Sequence, residues 1–299
     1  MLALLSTSTF WVVLSGALLL GVVSGVLGSF ALLRRQALLG DALSHAALPG
    51  VCLAFLLGGQ RKDPLTLLLG ALIAAALGAL FIVAVVRGSR IKGDAALGIV
   101  LSVFFGVGVV LLGYIQKLPS GSKSGLDAFL FGQAATLLID DVYLLLAVSG
   151  LALSAVLLFY RYFALLAFDR DYGVALGLPM RAIEAGLTLL LVVVVVVGLQ
   201  MVGVVLMVAS LLIPAAAARQ WTHRLPLMLL IAGLFGGVSA AGGVVLSAIV
   251  DKLPTGPMIV LLAGAVFLFS LLFAPGRGLL MQRRRDALMS SAKAPEAPR

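Results

Sequence analysis

Apolar runs of about twenty residues recur along the chain, separated by short polar or basic stretches. That length matches what a helix needs to cross the hydrocarbon core of a bilayer. Nine runs can be marked: 10–33, 38–57, 65–86, 95–112, 141–160, 183–199, 201–218, 226–250 and 258–273. The pattern predicts an all-α polytopic membrane protein of about nine transmembrane helices, with eight to ten compatible. A spanning β-barrel would instead show alternating segments of about ten residues, and the chain has none. The stretch 126–139 is too short to span and reads as an interfacial or re-entrant helix. The sixth and seventh runs form one apolar block too long for a single straight span, so a tight turn is expected at Gly198-Leu199-Gln200.

Several local features bear on packing. Gly21 and Gly25 lie four apart in the first run, a small-xxx-small pair that lets another helix approach closely. Pro214 in the seventh run removes a backbone donor, and Ser210, four residues earlier, is placed to help satisfy the freed carbonyl. Pro49 interrupts the second run in the same way.

Composition agrees with the pattern. The 299 residues are 62% hydrophobic and 11% charged, with a mean hydropathy of +1.21, where a soluble domain is about a quarter charged. The single cysteine, Cys52, excludes an internal disulfide framework and reads as a small core residue. The first run has no basic segment before it and is too long for a cleaved signal, so it is expected to stay as the first helix.

The formal net charge of +9 reports topology rather than nucleic-acid binding, because the basic residues sit between apolar runs and do not cluster with aromatics. With nine spans and a cytoplasmic C-terminus, sixteen Lys and Arg residues fall inside and five outside. The positive-inside rule therefore places the N-terminus outside and the C-terminus in the cytoplasm. Residues 1–276 form one transmembrane domain, with a cytoplasmic loop at 161–182. Residues 277–299 form a basic, then Ala/Pro-rich tail expected to be disordered.

The chemistry concentrates in RRQALLGDALSHAALPG, residues 34–50. Asp41 and His45 are four apart, hence on one helix face. Ionisable groups in a spanning segment cost at least about 2.5 kcal/mol each for charged types and mark ion paths more often than lipid faces. Carboxylate oxygen and imidazole nitrogen also begin a transition-metal site, though two ligands do not complete one. The plainer reading is a buried polar pair that fixes helix packing. Depth is open: Asp41 falls only a few residues inside the cytoplasmic end of its run. Either the helix starts deeper than Leu38 suggests, or the pair is not near the midplane.

Other candidates read as structural. His223 lies beside Arg219 and Trp221 at the inner interface. Met201 and Met207 read as packing residues, and Asp140 and Asp141 as charges at a helix N-terminus. In the loop at 161–182, Asp169, Arg170 and Asp171 resemble a helix start, and Gly177 and Pro179 end a helix of about two turns. Such a helix is either an ordered connector or a docking element for a soluble partner.

Four blocks together, LLGDALSHAALPG, GDAALGIVLSVFFGVGVVLL, FDRDYGVALGLP and GLQMVGVVLMVASLLIPAAAAR, resemble the membrane permease subunit of bacterial ABC importers for zinc, manganese and iron, the ABC-3 family. The similarity covers about residues 10–273. It implies a permease of the bacterial cytoplasmic (inner) membrane that transports a divalent metal ion and holds no permanent cofactor. The implied partners are a second copy of the chain, two copies of a cytoplasmic ABC ATPase and an extracytoplasmic metal-binding delivery protein. The implied roles are metal passage for Asp41 and His45, and ATPase coupling for Asp169, Arg170, Asp171, Ala175, Leu176 and Gly177. Pro49, Ser210 and Pro214 are structural or gating candidates.

No G-x-x-x-x-G-K-[ST] phosphate loop occurs in the chain, so ATP hydrolysis is expected on a partner. The alternative is a stand-alone ion-coupled secondary transporter, which usually needs several intramembrane acids; here Asp41 is the one clearly within a span. A membrane metalloprotease is weaker still, because the two histidines are 178 positions apart. The sequence does not choose among zinc, manganese and iron.

Overall fold

The computed structural model describes residues 8–59, 63–118, 139–250, 253–275 and 278. The described residues are helical apart from turns and short connections. The first helices are α1 (Ser8–Leu33), α2 (Leu39–Leu57), α3 (Pro64–Gly88), α4 (Gly93–Lys117) and α5 (Ile139–Leu158). Two short helices follow, α6 (Tyr160–Phe168) and α7 (Arg170–Ala175). Met180–Trp221 is helical on both sides of a break at Gly203. It divides into α8 (Met180–Leu199) and α9 (Val202–Trp221). The last helices are α10 (Leu225–Ile249) and α11 (Thr255–Phe273). Among the described residues, nine helices are long and apolar enough to cross a membrane. The expected short helix at 126–139 and the tail fall outside the described residues, save Ile139 and Gly278.

The turn between the sixth and seventh spans is not at Gly198-Leu199-Gln200. Those residues are helical, and the helical geometry breaks at Gly203, where φ is 79° and ψ is 170°. Glycine adopts that conformation without steric cost. The chain reverses there: a Cβ on Gly198 would lie 2.5 Å from Met207 Sδ. In a straight helix those residues would be separated by about 14 Å along the axis.

Small residues set how closely the helices pack. A Cβ on Gly21 would stand 2.5 Å from the Gly236 carbonyl oxygen, and one on Gly25 would stand 2.3 Å from that of Ala232. The predicted pair therefore puts α1 and α10 in backbone contact. A Cβ on Gly28 would reach within 1.9 Å of the Leu211 carbonyl oxygen, so α9 approaches α1 equally closely.

The segment between α1 and α2 sets where α2 starts against its neighbours. Gln36 N–H donates to the Ala31 carbonyl and Arg35 N–H to that of Leu32, while Arg35 takes φ 56°. This is a Schellman cap with arginine in the place glycine usually fills. It turns the chain back into the bundle. The first residues of α2 then pack against the middle of α9, where a Cβ on Gly40 would lie 2.8 Å from Leu211 Cδ1. Helix α2 is the most enclosed span, 72% buried in its apolar window, and it packs against α3, α4 and the α8–α9 hairpin.

Candidate functional site

Asp41 sits in the first turn of α2 and His45 one turn later. His45 Nε2 lies 3.3 Å from Asp41 Oδ1. The His45 ring meets Phe105 edge to face, with centroids 4.7 Å apart. Phe105 is the middle residue of α4, so the first turns of α2 lie level with the middle of that helix. Helix α2 begins at Leu39, next to the start of its apolar run, after the turn made by the Arg35 cap.

The pair is partly open. The Asp41 and His45 side chains are 29% and 20% exposed, while Ala42, Leu43, Ser44, Ala46, Ala47 and Leu48 are buried. Leu38, just before α2, is exposed, while the stretch after His45 is buried as far as Cys52.

The spacing suits two ligands on one ion. Donors about 2.1 Å from a zinc-sized ion and held at a tetrahedral angle lie about 3.4 Å apart. The observed 3.3 Å needs little rearrangement to match that spacing. One further feature adds a donor. Pro49 has no N–H to give the carbonyl four residues back, which is that of His45 itself. His45 Nδ1 is buried and has no hydrogen-bond partner. Among the described residues no group of three or more His, Cys, Asp or Glu side chains could hold an ion.

Pro214 and Ser210 stand on α9, next to this region. Ser210 is buried and precedes Leu211, the residue packed on Gly40. Pro214 deprives the Ser210 carbonyl of its helical partner. Met207 is fully buried against Gly198 and is a packing residue. His223 is exposed beyond α9, and Asp140 and Asp141 stand in the first turn of α5. Cys52 is buried, with Sγ 3.8 Å from the Gly108 carbonyl oxygen.

The predicted helix after Asp169 forms as α7. The Asp169 carboxylate accepts a hydrogen bond from the Tyr172 N–H at 2.9 Å, an N-cap. Gly177 closes the helix at φ 74°. Gly173 faces the bundle, where a Cβ would stand 2.6 Å from Met180 Sδ. Asp169, Arg170, Asp171, Ala175, Leu176 and Gly177 are all exposed, as are Tyr172 and Val174. The helix is anchored on one side and presents charged and apolar groups on the other. Helix α6, directly before it, has no counterpart in the sequence reading; its aromatic run Tyr160-Arg161-Tyr162-Phe163 is continuous with the fifth apolar segment.

Sequence reasoning also missed Glu184. Its Oε1 accepts a hydrogen bond from Arg34 Nη2, its Oε2 lies 3.2 Å from Arg170 Nη2, and the same oxygen is 3.6 Å from Arg87 Nη2. Arg34 follows α1, Arg87 ends α3, and Arg170 opens α7. Burial lowers the Arg34 pKa from its ordinary value, and Glu184 opposes that shift. A signal was present: Glu184 is the single acidic residue between Asp171 and Asp251.

The family model of the ABC 3 transport family matches residues 7–274. The manganese transport system membrane protein MntC of Bacillus subtilis is 51% identical over 284 residues, covering 93% of this chain. This chain spans 65% of that relative's length. The zinc transport system membrane protein TroC of Treponema pallidum is 47% identical, covering 97% of this chain and 98% of its own. Among solved structures, PsaBC from Streptococcus pneumoniae in complex with Fab aligns with a TM-score of 0.81 at 32% identity, over 95% of this chain and 100% of that one. A putative metal-chelate type ABC transporter in an inward-facing conformation shares the fold, with a TM-score of 0.64 at 18% identity.

Proposed function

The chain belongs to the ABC 3 transport family, and from that premise we propose that it is the membrane subunit of an ATP-driven importer of a divalent transition metal ion, manganese or zinc, with iron a third candidate. The observation that carries this reading is the Asp41–His45 pair, 3.3 Å apart on one face of α2 and partly exposed within an otherwise buried stretch.

In this reading two copies of the chain form the ion path, and Asp41 and His45 of each α2 line that path. Asp41 and His45 hold the ion through one carboxylate oxygen and Nε2. The second copy or water completes the coordination. A site with few protein ligands releases its ion readily, as transport requires. Ligation uses the unprotonated Nε2 of His45 and the ionised Asp41 carboxylate.

The driving force comes from a cytoplasmic ATPase, two copies per dimer, which docks on the exposed face of α7. Asp169 holds that helix in shape by its cap, and Tyr172, Val174 and Leu176 supply apolar contact. The arginines grouped around Glu184 lie at the end that the charge distribution places in the cytoplasm. An extracytoplasmic metal-binding protein delivers the ion at the other end, and the membrane is the bacterial inner membrane. The manganese and zinc systems named for the two relatives above support a divalent ion without choosing one.

Reconstitution into liposomes tests this reading against the stand-alone transporter. The chain, its ATPase and its delivery protein are sealed with ATP inside, and metal accumulation is followed while ionophores collapse all ion gradients. ATP-dependent accumulation that survives the ionophores supports the importer. Accumulation that needs no ATPase and stops with the ionophores makes the chain a secondary transporter.

A further inference from the structure

We infer that Glu184 is a positioning residue for coupling: its carboxylate ties α7 to α1 and α3, so that displacement of α7 reaches the helices next to the metal pair. The inference rests on the reading of α7 as the ATPase-docking helix and adds the route from it into the bundle.

Three arginines from three separate segments converge on this one carboxylate. Arg170 approaches Oε2 from α7 at 3.2 Å, Arg87 approaches the same oxygen from the end of α3 at 3.6 Å, and Arg34 holds Oε1 from the end of α1. The acid itself stands in the second turn of α8. Removing it would leave three like charges facing one another without a counter-ion. The groups differ in how firmly they are held. The Arg34 side chain is 8% exposed and Glu184 19%, whereas Arg170 and Arg87 are 49% and 46% exposed. Arg34 and Glu184 are therefore the fixed half of the cluster. Arg170 and Arg87 are half in solvent, where ion pairs are weak and exchange readily.

Arg34 carries the connection towards the metal pair. It directly precedes Arg35, whose left-handed conformation turns the chain into α2. Only Gln36, Ala37 and Leu38 separate that turn from the helix bearing Asp41 and His45. Packing leaves room for movement beside the carboxylate: a crevice of about 340 Å³ lies between α3 and α8, with Ala79, Val83, Thr188 and Val192 in its wall and Arg87, Arg181 and Glu184 also lining it. Helix α7 is otherwise seated by Gly173 on Met180, at the start of the same α8. A push on α7 thus meets α8 by contact and α1 and α3 through Glu184.

The experiment compares the unmutated complex with Glu184→Gln, Arg170→Gln, the double variant and Arg181→Gln, all assembled with the ATPase. Arg181 lines the same crevice and makes no ion pair with Glu184, so it reports general effects of losing an arginine there. Metal uptake and ATP hydrolysis are measured on the same vesicles, and hydrogen exchange is followed in residues 169–178. The expected result is at least a tenfold fall in ions moved per ATP for Glu184→Gln, with hydrolysis kept within about threefold, and a smaller fall in the same ratio for Arg170→Gln. The double variant should be no worse than Glu184→Gln alone, because the two groups act through one contact. Glu184→Asp should recover part of the ratio, and Arg181→Gln should keep it. Exchange in 169–178 should rise in both single variants, whether or not the chain is an importer. An unchanged ratio and unchanged exchange in Glu184→Gln would overturn the inference. An unmutated complex that moves no metal would overturn the importer reading, and the coupling role with it.

Discussion

The Asp41 carboxylate and the His45 imidazole are 3.3 Å apart on adjacent turns of α2, level with Phe105 in the middle of α4 and Leu211 in the middle of α9. Both side chains are partly exposed, and their reading as an ion site implies that packing does not depend on them. Asp41→Asn and His45→Ala are expected to reach the membrane at normal levels and to purify with the ATPase, with melting temperatures within a few degrees of the unmutated complex. Loss of assembly in both variants would return the pair to a packing role.

Asp169 caps α7, and Asp171 is exposed in its first turn. Asparagine caps nearly as well as aspartate, while loss of a cap costs about 1 kcal/mol. Asp169→Asn is expected to keep metal-stimulated hydrolysis close to normal. Asp169→Lys and Asp171→Lys are expected to lower it severalfold and to weaken retention of the ATPase on an affinity column. Equal stimulation in all three variants would remove the charge of this helix from coupling.

A methyl group on Gly28 would collide with the Leu211 backbone, whereas one on Gly150 would meet nothing within 4 Å. Overpacking of this kind costs about 1–3 kcal/mol. Gly28→Ala is expected to lower the melting temperature of the purified protein by several degrees, and Gly150→Ala to leave it unchanged or raise it. The position also matters for function, since Leu211 packs on Gly40 at the start of α2. A Gly28→Ala protein as stable as the unmutated one would mean that α1 and α9 do not pack as closely as described.

The spans were legible because a bilayer imposes about twenty apolar residues on each, and this constraint survives without any knowledge of packing. Asp41 and His45 were legible for the same reason, as charged types in apolar surroundings. So were Gly21 and Gly25, whose spacing is that of a close helix contact. What escaped depends on contacts between distant segments. Glu184 reads locally as a charge at the edge of an apolar run, and its partners Arg34 and Arg87 are far from it in sequence. The cap at Arg35 carries no glycine to announce it, so where α2 starts against its neighbours stayed open. The hairpin offered glycines at Gly198 and Gly203, and nothing in the apolar pattern chooses between them. Here Gly198 packs on Met207 while Gly203 takes the positive φ.

The most direct test of metal passage through α2 is uptake of labelled manganese and zinc in cells lacking their own importers and supplied with this chain, its ATPase and its delivery protein. The unmutated chain is expected to accumulate one of the two ions. Asp41→Ala and His45→Ala are each expected to reduce accumulation to background at equal membrane levels. Undiminished uptake in both variants would contradict the account and move the ion path to other helices.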